Sequence, residues 1–202
     1  MPFDDLLNPY VVKVRQHSLI VDNLKEHLDF FQDSTHKLVD LGCGNGHFLQ
    51  TFLSKNPGWS GLGVEKRFKR SFKTAEKLEG LSALVLQNDI DIFLNESPND
   101  FWNEVWIQFP DPWPKARHEK NRMIKPGLLT RIAQVLKSDG RFCFRSDCED
   151  YWNDILELNR EEEAFSDVQA ERDNMFVDHP STLFQQKFVG RGVPIYSLQL
   201  KK

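Results

Sequence analysis

The chain has 202 residues, 40% of them hydrophobic and 28% charged, with 26 Lys and Arg against 30 Asp and Glu for a formal net charge of −4. That length suits one domain whose core needs no disulfide or metal, and no run approaches the roughly 18 apolar residues of a membrane span. Acids where a secretory leader is basic, and three scattered cysteines (Cys43, Cys143, Cys148), point to a cytoplasmic chain, and the mild acidity taken alone argues against a polyanionic partner.

Residues 19–31 read as an N-terminal helix, part of a short helical extension over about residues 1–36. Beyond it, apolar runs alternate with amphipathic ones. Strands are expected at 37–41, 61–65, 83–87, 105–109 and 140–145, and helices at 47–55, 68–78 and 128–136. The last helix shows Leu128, Ile132, Val135 and Leu136 on one stripe, with Pro126 just inside its start and Gly140 beyond its end. Residues 181–188 look helical, Gly190-Arg191-Gly192 breaks them, and 194–200 read as a final strand. Alternation of this kind predicts a parallel sheet with helices on both faces. With no repeat or linker-like tract, residues 1–202 are expected as one domain.

Charge is segregated along the chain. Residues 109–145 hold nine basic side chains against three acids, and 65–77 hold six against two. Residues 147–173 reverse this, with eleven acids and two arginines. Solvated helix faces explain such runs; two basic segments beside one site would instead form a rim able to track phosphates.

The first strand-to-helix turn reads Asp40-Leu41-Gly42-Cys43-Gly44-Asn45-Gly46. Glycines let the backbone turn tightly and approach a ligand, at the strand end where open α/β sheets bind nucleotides. A dinucleotide fingerprint needs its third glycine at the place of His47. Asp40 suits an amino group better than a pyrophosphate. About twenty residues on, Glu65 ends the second strand where a ribose diol would bond, and Asn88-Asp89 after the third offers polar groups to an adenine. A nucleoside with a cationic amino-acid tail and no phosphate describes S-adenosylmethionine better than NAD. A tight turn packing helix on strand is the competing reading of the loop alone.

After the fourth strand comes Phe109-Pro110-Asp111-Pro112-Trp113-Pro114-Lys115. Each proline excludes the helical region for the residue before it, so Phe109, Asp111 and Trp113 are expected to be extended, in a stiff loop holding a carboxylate still. Trp113 suits either a buried structural place or stacking on an extruded base.

This string, with Arg117-His118 and Lys120, downstream of the Asp-Leu-Gly-x-Gly-x-Gly loop, closely resembles the bacterial tRNA (guanine-N7)-methyltransferase family. Arg145-Ser146-Asp147 with Tyr151, and Ser181-Thr182-Leu183-Phe184-Gln185 before the last strand, extend the resemblance from about Lys37 to the C-terminus. It implies a Rossmann-like class I methyltransferase of the α/β class, with seven strands, mostly parallel, helices on both faces and an antiparallel last strand. It implies S-adenosylmethionine as methyl donor, with no metal, held by Asp40, Gly42, Gly44, Glu65, Asn88, Asp89 and Asp111. Asp111 would be the catalytic residue; Lys115, Asp147, Thr182, Leu183, Phe184 and Gln185 would contact tRNA, the implied partner. Three positions depart from the family: Asp40 and Gln185 stand where Glu is usual, and Asn121 where Arg is usual. The amide at 185 bears on base recognition more than on methyl transfer.

Guanine N7 carries a lone pair and no proton, so attack on a sulfonium methyl needs alignment and no general base. A fixed carboxylate such as Asp111 suits the growing positive charge on the ring. A non-catalytic RNA-binding relative, and a methyltransferase of another RNA or a small molecule, remain alternatives. The six histidines show no metal-ligand spacing, Cys43 reads as a small loop residue, Trp106 and Phe109 read as core, and Asp147 reads as tRNA contact or as cap of the acidic helix.

Overall fold

The structure is a computed structural model describing residues 18–113, 122–173 and 175–202. The chain forms two compact units, Met1–Ser97 and Pro98–Lys202.

The first unit contains β1 (Ile20–Val21), a 3-10 helix (Lys25–Phe31), β2 (His36–Leu41), α1 (His47–Lys55), β3 (Trp59–Val64), α2 (Phe68–Leu78), β4 (Ala83–Leu86) and α3 (Ile90–Glu96). Its strands lie in the order β1-β4-β3-β2, all parallel. β2 is buried beyond its first residue and β4 throughout, as expected of strands covered on both faces. α1 supplies Phe48, Leu49, Phe52 and Leu53 to the core; α2 supplies Phe72, Ala75 and Leu78 and leaves Lys69, Arg70 and Lys73 exposed. Gly46, with φ 68°, caps α1 against α2, where an added Cβ would lie 2.6 Å from the Thr74 methyl group. Only glycine meets both demands.

The second unit contains β5 (Trp102–Gln108), α4 (Leu128–Val135), β6 (Leu136–Ser146), α5 (Glu149–Glu162), β7 (Asp167–Glu171), α6 (Leu183–Val189) and β8 (Tyr196–Lys201). β5 and β6 are parallel, and β8 runs antiparallel to both β6 and β7. Trp102, Trp106, Phe142, Phe144, Leu198 and Leu200 are fully buried. Among the described residues there are eight strands, one more than the expected seven.

The extra strand corrects the helix expected at 19–31. Ile20 and Val21 pair with Val85 and Leu86, and Glu96 accepts the Leu24 N–H at 2.8 Å, so tertiary pairing overrides local periodicity. The bracket around the helix at 128–136 is also corrected. α4 starts behind Gly127 at φ 83°, leaving Pro126 outside it, and ends at Val135. β6 begins at once, where Leu136 pairs with Trp102, so Gly140 lies within the strand. There a Cβ would lie 3.0 Å from the Lys137 and Trp102 carbonyl oxygens. The acidic stretch is not helical throughout: its distal part forms β7, antiparallel to β8.

Candidate active site

In the first unit, register levels the ends of three parallel strands, with Leu41 opposite Val64 and Val64 opposite Leu86. The glycine loop, Glu65 and Asn88-Asp89 therefore leave the sheet side by side. The loop folds over β3, since the Gly42 and Cys43 N–H groups both donate to the Val64 carbonyl, at 2.8 and 3.1 Å. Thr74 Oγ1 and Lys77 Nζ donate to the Gly44 and Asn45 carbonyls, both at 2.9 Å, fixing the loop to α2. Asp40 and Glu65 are buried. Burial, and next the charges of Asp40 and Glu65, push the Cys43 thiol well above the ordinary thiol range, so both carboxylates act on the centre of the loop.

Glu65 accepts the Arg67 N–H on Oε1 at 2.9 Å, which leaves its second oxygen for a ligand hydroxyl. Asn88 and Asp89 are more committed than the sequence suggests. The Asn88 amide donates to the Asp22 carbonyl and its oxygen accepts the Asp89 N–H, while Asp89 caps α3 and lies 3.5 Å from Lys66 Nζ.

In the second unit, Gln108, the last residue of β5, pairs with Arg145, the next-to-last residue of β6. The next residue, Phe109, donates its N–H to the Arg145 carbonyl at 2.8 Å. Phe109 and Trp113 have φ 48° and 45°, which corrects the extended conformation expected for them. The following proline disfavours the right-handed helical region, and the left-handed conformation adopted here costs about 1–3 kcal/mol at each residue. Phe109 is half-buried, its ring 5.7 Å from Phe188 and 6.4 Å from Phe184 of α6. Asp111 is exposed and Trp113 half-buried.

The segment expected to contact substrate divides in two. Thr182 is buried and its Oγ1 accepts the Gln185 N–H at 3.0 Å, capping α6. Leu183 and Phe184 are 53% and 56% exposed. Gln185 is only 4% exposed, and its Oε1 lacks a hydrogen-bond partner among the described residues. Asp147 is half-buried and does not cap α5, whose N-cap is Cys148, itself donating to Ser146 Oγ at 3.0 Å. Lys115, Arg117, His118, Lys120 and Asn121 lie outside the described residues.

A protein-family model described as "Putative methyltransferase" matches residues 34–198. The chain belongs to this methyltransferase family. Among relatives of the methyltransferase, a tRNA (guanine-N(7)-)-methyltransferase of Mycoplasmoides gallisepticum is 28% identical over 84% of this chain and 80% of its own length. One of Caulobacter vibrioides is 28% identical over 92% of this chain and 88% of its own. Among solved structures, a 16S rRNA methyltransferase, KamB, is 15% identical with a TM-score of 0.62, covering 88% of this chain and 93% of that one. At that identity the likeness shows the fold alone, which is the expected class I methyltransferase fold. No helix among the described residues is long and apolar enough to cross a membrane.

Three groups in the methyltransferase make contacts that the sequence did not indicate. Arg122 donates from Nε to the Pro112 carbonyl and from Nη1 to Asp154, and Tyr151 Oη accepts the Met123 and Ile124 N–H groups at 2.9 and 3.1 Å. Buried Glu104 pairs with Arg141, accepts Trp106 Nε1–H at 2.7 Å and lies 3.8 Å from His179 Nε2. The third is the buried guanidinium of Arg145. A lone acid within the apolar run of β5, opposite Arg141 in the sheet, is the sequence signal for the second group.

Proposed function

We propose that the protein transfers the methyl group of S-adenosylmethionine to N7 of a guanine in tRNA, forming 7-methylguanosine, at the variable-loop guanine by family resemblance. The observation that carries the reading is the loop at 109–113. It exposes Asp111 between two prolines on a backbone pinned by Arg145 on one side and Arg122 on the other. The relatives named tRNA (guanine-N(7)-)-methyltransferase support the substrate. Residues 1–202 then act as one methyltransferase domain in the cytoplasm.

Asp40, Gly42, Gly44, Glu65, Asn88, Asp89 and Asp111 would hold the donor. The residues fit it: two buried carboxylates beside a glycine loop suit an ammonium and a ribose diol, and no cation in the loop sequence awaits a phosphate. When bound, S-adenosylmethionine supplies a methyl group on a positively charged sulfur; no metal is invoked.

The chain's own task is to hold guanine so that its N7 lone pair is in line with that methyl group. N7 carries no proton, so Asp111 abstracts none. Its carboxylate accepts guanine N–H groups and stabilises the positive charge that grows on the ring. Lys115 serves O6 or a phosphate, since a bond to N7 would occupy the nucleophile. Leu183 and Phe184 present apolar surface to tRNA, and Asp147, Thr182 and Gln185 would contact it as well.

The test is incubation with unmodified tRNA and labelled S-adenosylmethionine, followed by chemical cleavage at 7-methylguanosine. A labelled tRNA cut within the variable loop is expected. Donor binding without label in tRNA overturns the reading, and tight tRNA binding without transfer identifies a non-catalytic relative.

A further inference from the structure

Arg145 is the next-to-last residue of β6, with its side chain inside the second unit, 0% exposed. The guanidinium lies against an edge-to-face pair of rings, 5.1 Å from the centroids of both Trp106 and Phe176, which are themselves 4.8 Å apart. Nη1 donates to Gln108 Oε1 at 3.1 Å and to the Pro180 carbonyl at 3.0 Å; Nη2 donates to the Phe176 carbonyl at 3.2 Å. The backbone carbonyl of the same residue accepts the Phe109 N–H at 2.8 Å.

These contacts reach two places. Gln108 and Phe109 lead directly into the loop that carries Asp111. Phe176 and Pro180 belong to the segment that leads into Thr182, the cap of α6. The sequence between Phe176 and Pro180 offers no helix or strand of its own, so its path depends on such contacts. A planar fork of five donors can serve several carbonyl oxygens at once while its faces meet aromatic rings, whereas an ammonium has no face to stack.

We propose that Arg145 is a positioning residue that sets α6 against the Asp111 loop, and so fixes the part of the site that receives the guanosine. It touches neither substrate nor donor. The inference rests on the tRNA methyltransferase reading for its kinetic arm only. Its effect belongs in tRNA recognition and turnover, with donor binding by the first unit left intact.

The experiment compares Arg145→Lys with the wild type in full-length protein. The expected result is a roughly 10- to 100-fold fall in kcat/KM for tRNA, dominated by KM. The donor Kd by calorimetry should stay within about twofold. Hydrogen exchange should accelerate at the Phe109 amide and across 183–189, with exchange in α2 and β3 unchanged. Unchanged exchange at those places, or an equal loss of donor affinity, overturns the proposal. Should Arg145→Lys fail to fold, Gln108→Leu decides. Losing one Arg145 partner must then raise KM and quicken exchange at Phe109, and no change in either overturns the proposal. If the wild type transfers no methyl group to tRNA, the exchange arm still tests the coupling, so the two failures are distinguishable.

Discussion

Arg122 bridges Pro112 and Asp154: its Nε donates to the Pro112 carbonyl at 3.1 Å and its Nη1 to Asp154 Oδ2 at 2.7 Å, with the guanidinium 5.7 Å from the Tyr151 ring centroid. The residue after Asp111 is thereby tied to α5. Arg122→Ala is expected to lower kcat/KM for tRNA about tenfold through a less ordered loop, with donor affinity unchanged. Arg122→Lys should recover only part of that, because an ammonium cannot span both partners in this geometry. Steady-state kinetics beside calorimetry checks it, and wild-type kinetics in the alanine variant would refute the tie.

For Asp111 the expectation is a split between turnover and binding. Asp111→Ala should reduce kcat at least 100-fold, the order seen when a charge-stabilising group is removed, with a much smaller change in donor Kd. Asp111→Asn keeps the shape and loses the charge, so it should remain impaired. Equal losses in kcat and donor affinity would show that Asp111 mainly builds the donor pocket.

Glu104 carries a pH prediction. Burial pushes its carboxyl up, but the nearby His179 ring, the Arg141 charge and the Trp106 N–H outweigh that and hold it below the ordinary range. A carboxylate whose folded pKa is depressed stabilises the fold above its unfolded pKa, and that contribution is lost as pH falls through the folded value. Glu104→Gln should therefore cost about 3–5 kcal/mol near pH 7 by leaving Arg141 without its buried partner. The gap from wild type should narrow below about pH 4. Urea melts at pH 7 and pH 3.5 measure it; a gap that stays constant rules the account out.

Cys43 should be inert. Burial first, then the Asp40 and Glu65 charges, raise its pKa well above the ordinary thiol value, and reactivity requires the thiolate. Burial and the Glu104 charge do the same for Cys143. Iodoacetamide at pH 8 should label half-buried Cys148 in the native protein and reach the other two only on unfolding. Peptide mass mapping reports this directly, and rapid native labelling of Cys43 contradicts it.

Gln185 combines burial with an acceptor that has no partner among the described residues. Gln185→Leu removes a group whose unmet hydrogen bond costs about 1–3 kcal/mol, so stability should rise by roughly 1 kcal/mol while KM for tRNA worsens. Gln185→Glu restores the acid usual in the family and should lower KM. Thermal melts and kinetics on the two variants decide it; a leucine variant that is both less stable and fully active contradicts both parts.

Much of this fold is legible in the sequence where one element buries one stripe. α1 and α2 have the bounds that periodicity gives, because Phe48, Leu49, Phe52 and Leu53, and Phe72, Ala75 and Leu78, recur at helical spacing. The helix expected at 19–31 is replaced by β1 and a 3-10 turn, because an edge-strand partnership with Val85 and Leu86 lies far away in sequence. The glycine loop, Glu65 and Asn88-Asp89 were identifiable from their places after successive strands. That Asn88 and Asp89 also lock local structure was not, since their partners include Asp22 and Lys66. Arg145 was visible as one charge among nine and as the residue before Ser146-Asp147 in the family-like segment, with no sign of what its side chain holds. Nothing local distinguishes a guanidinium buried beside Trp106 and Phe176 from one in water.

That burial changes what the basic stretch from 109 to 145 presents to a polyanion. Arg122, Arg141 and Arg145 are committed to Asp154, to Glu104 and to neutral oxygens of the interior. Of the nine cations in the stretch, no more than six are left to displace counterions from a nucleic acid. The logarithmic fall of affinity with salt should therefore be shallower than the written charges suggest. The three committed arginines act on the nucleic acid only through the shape they impose.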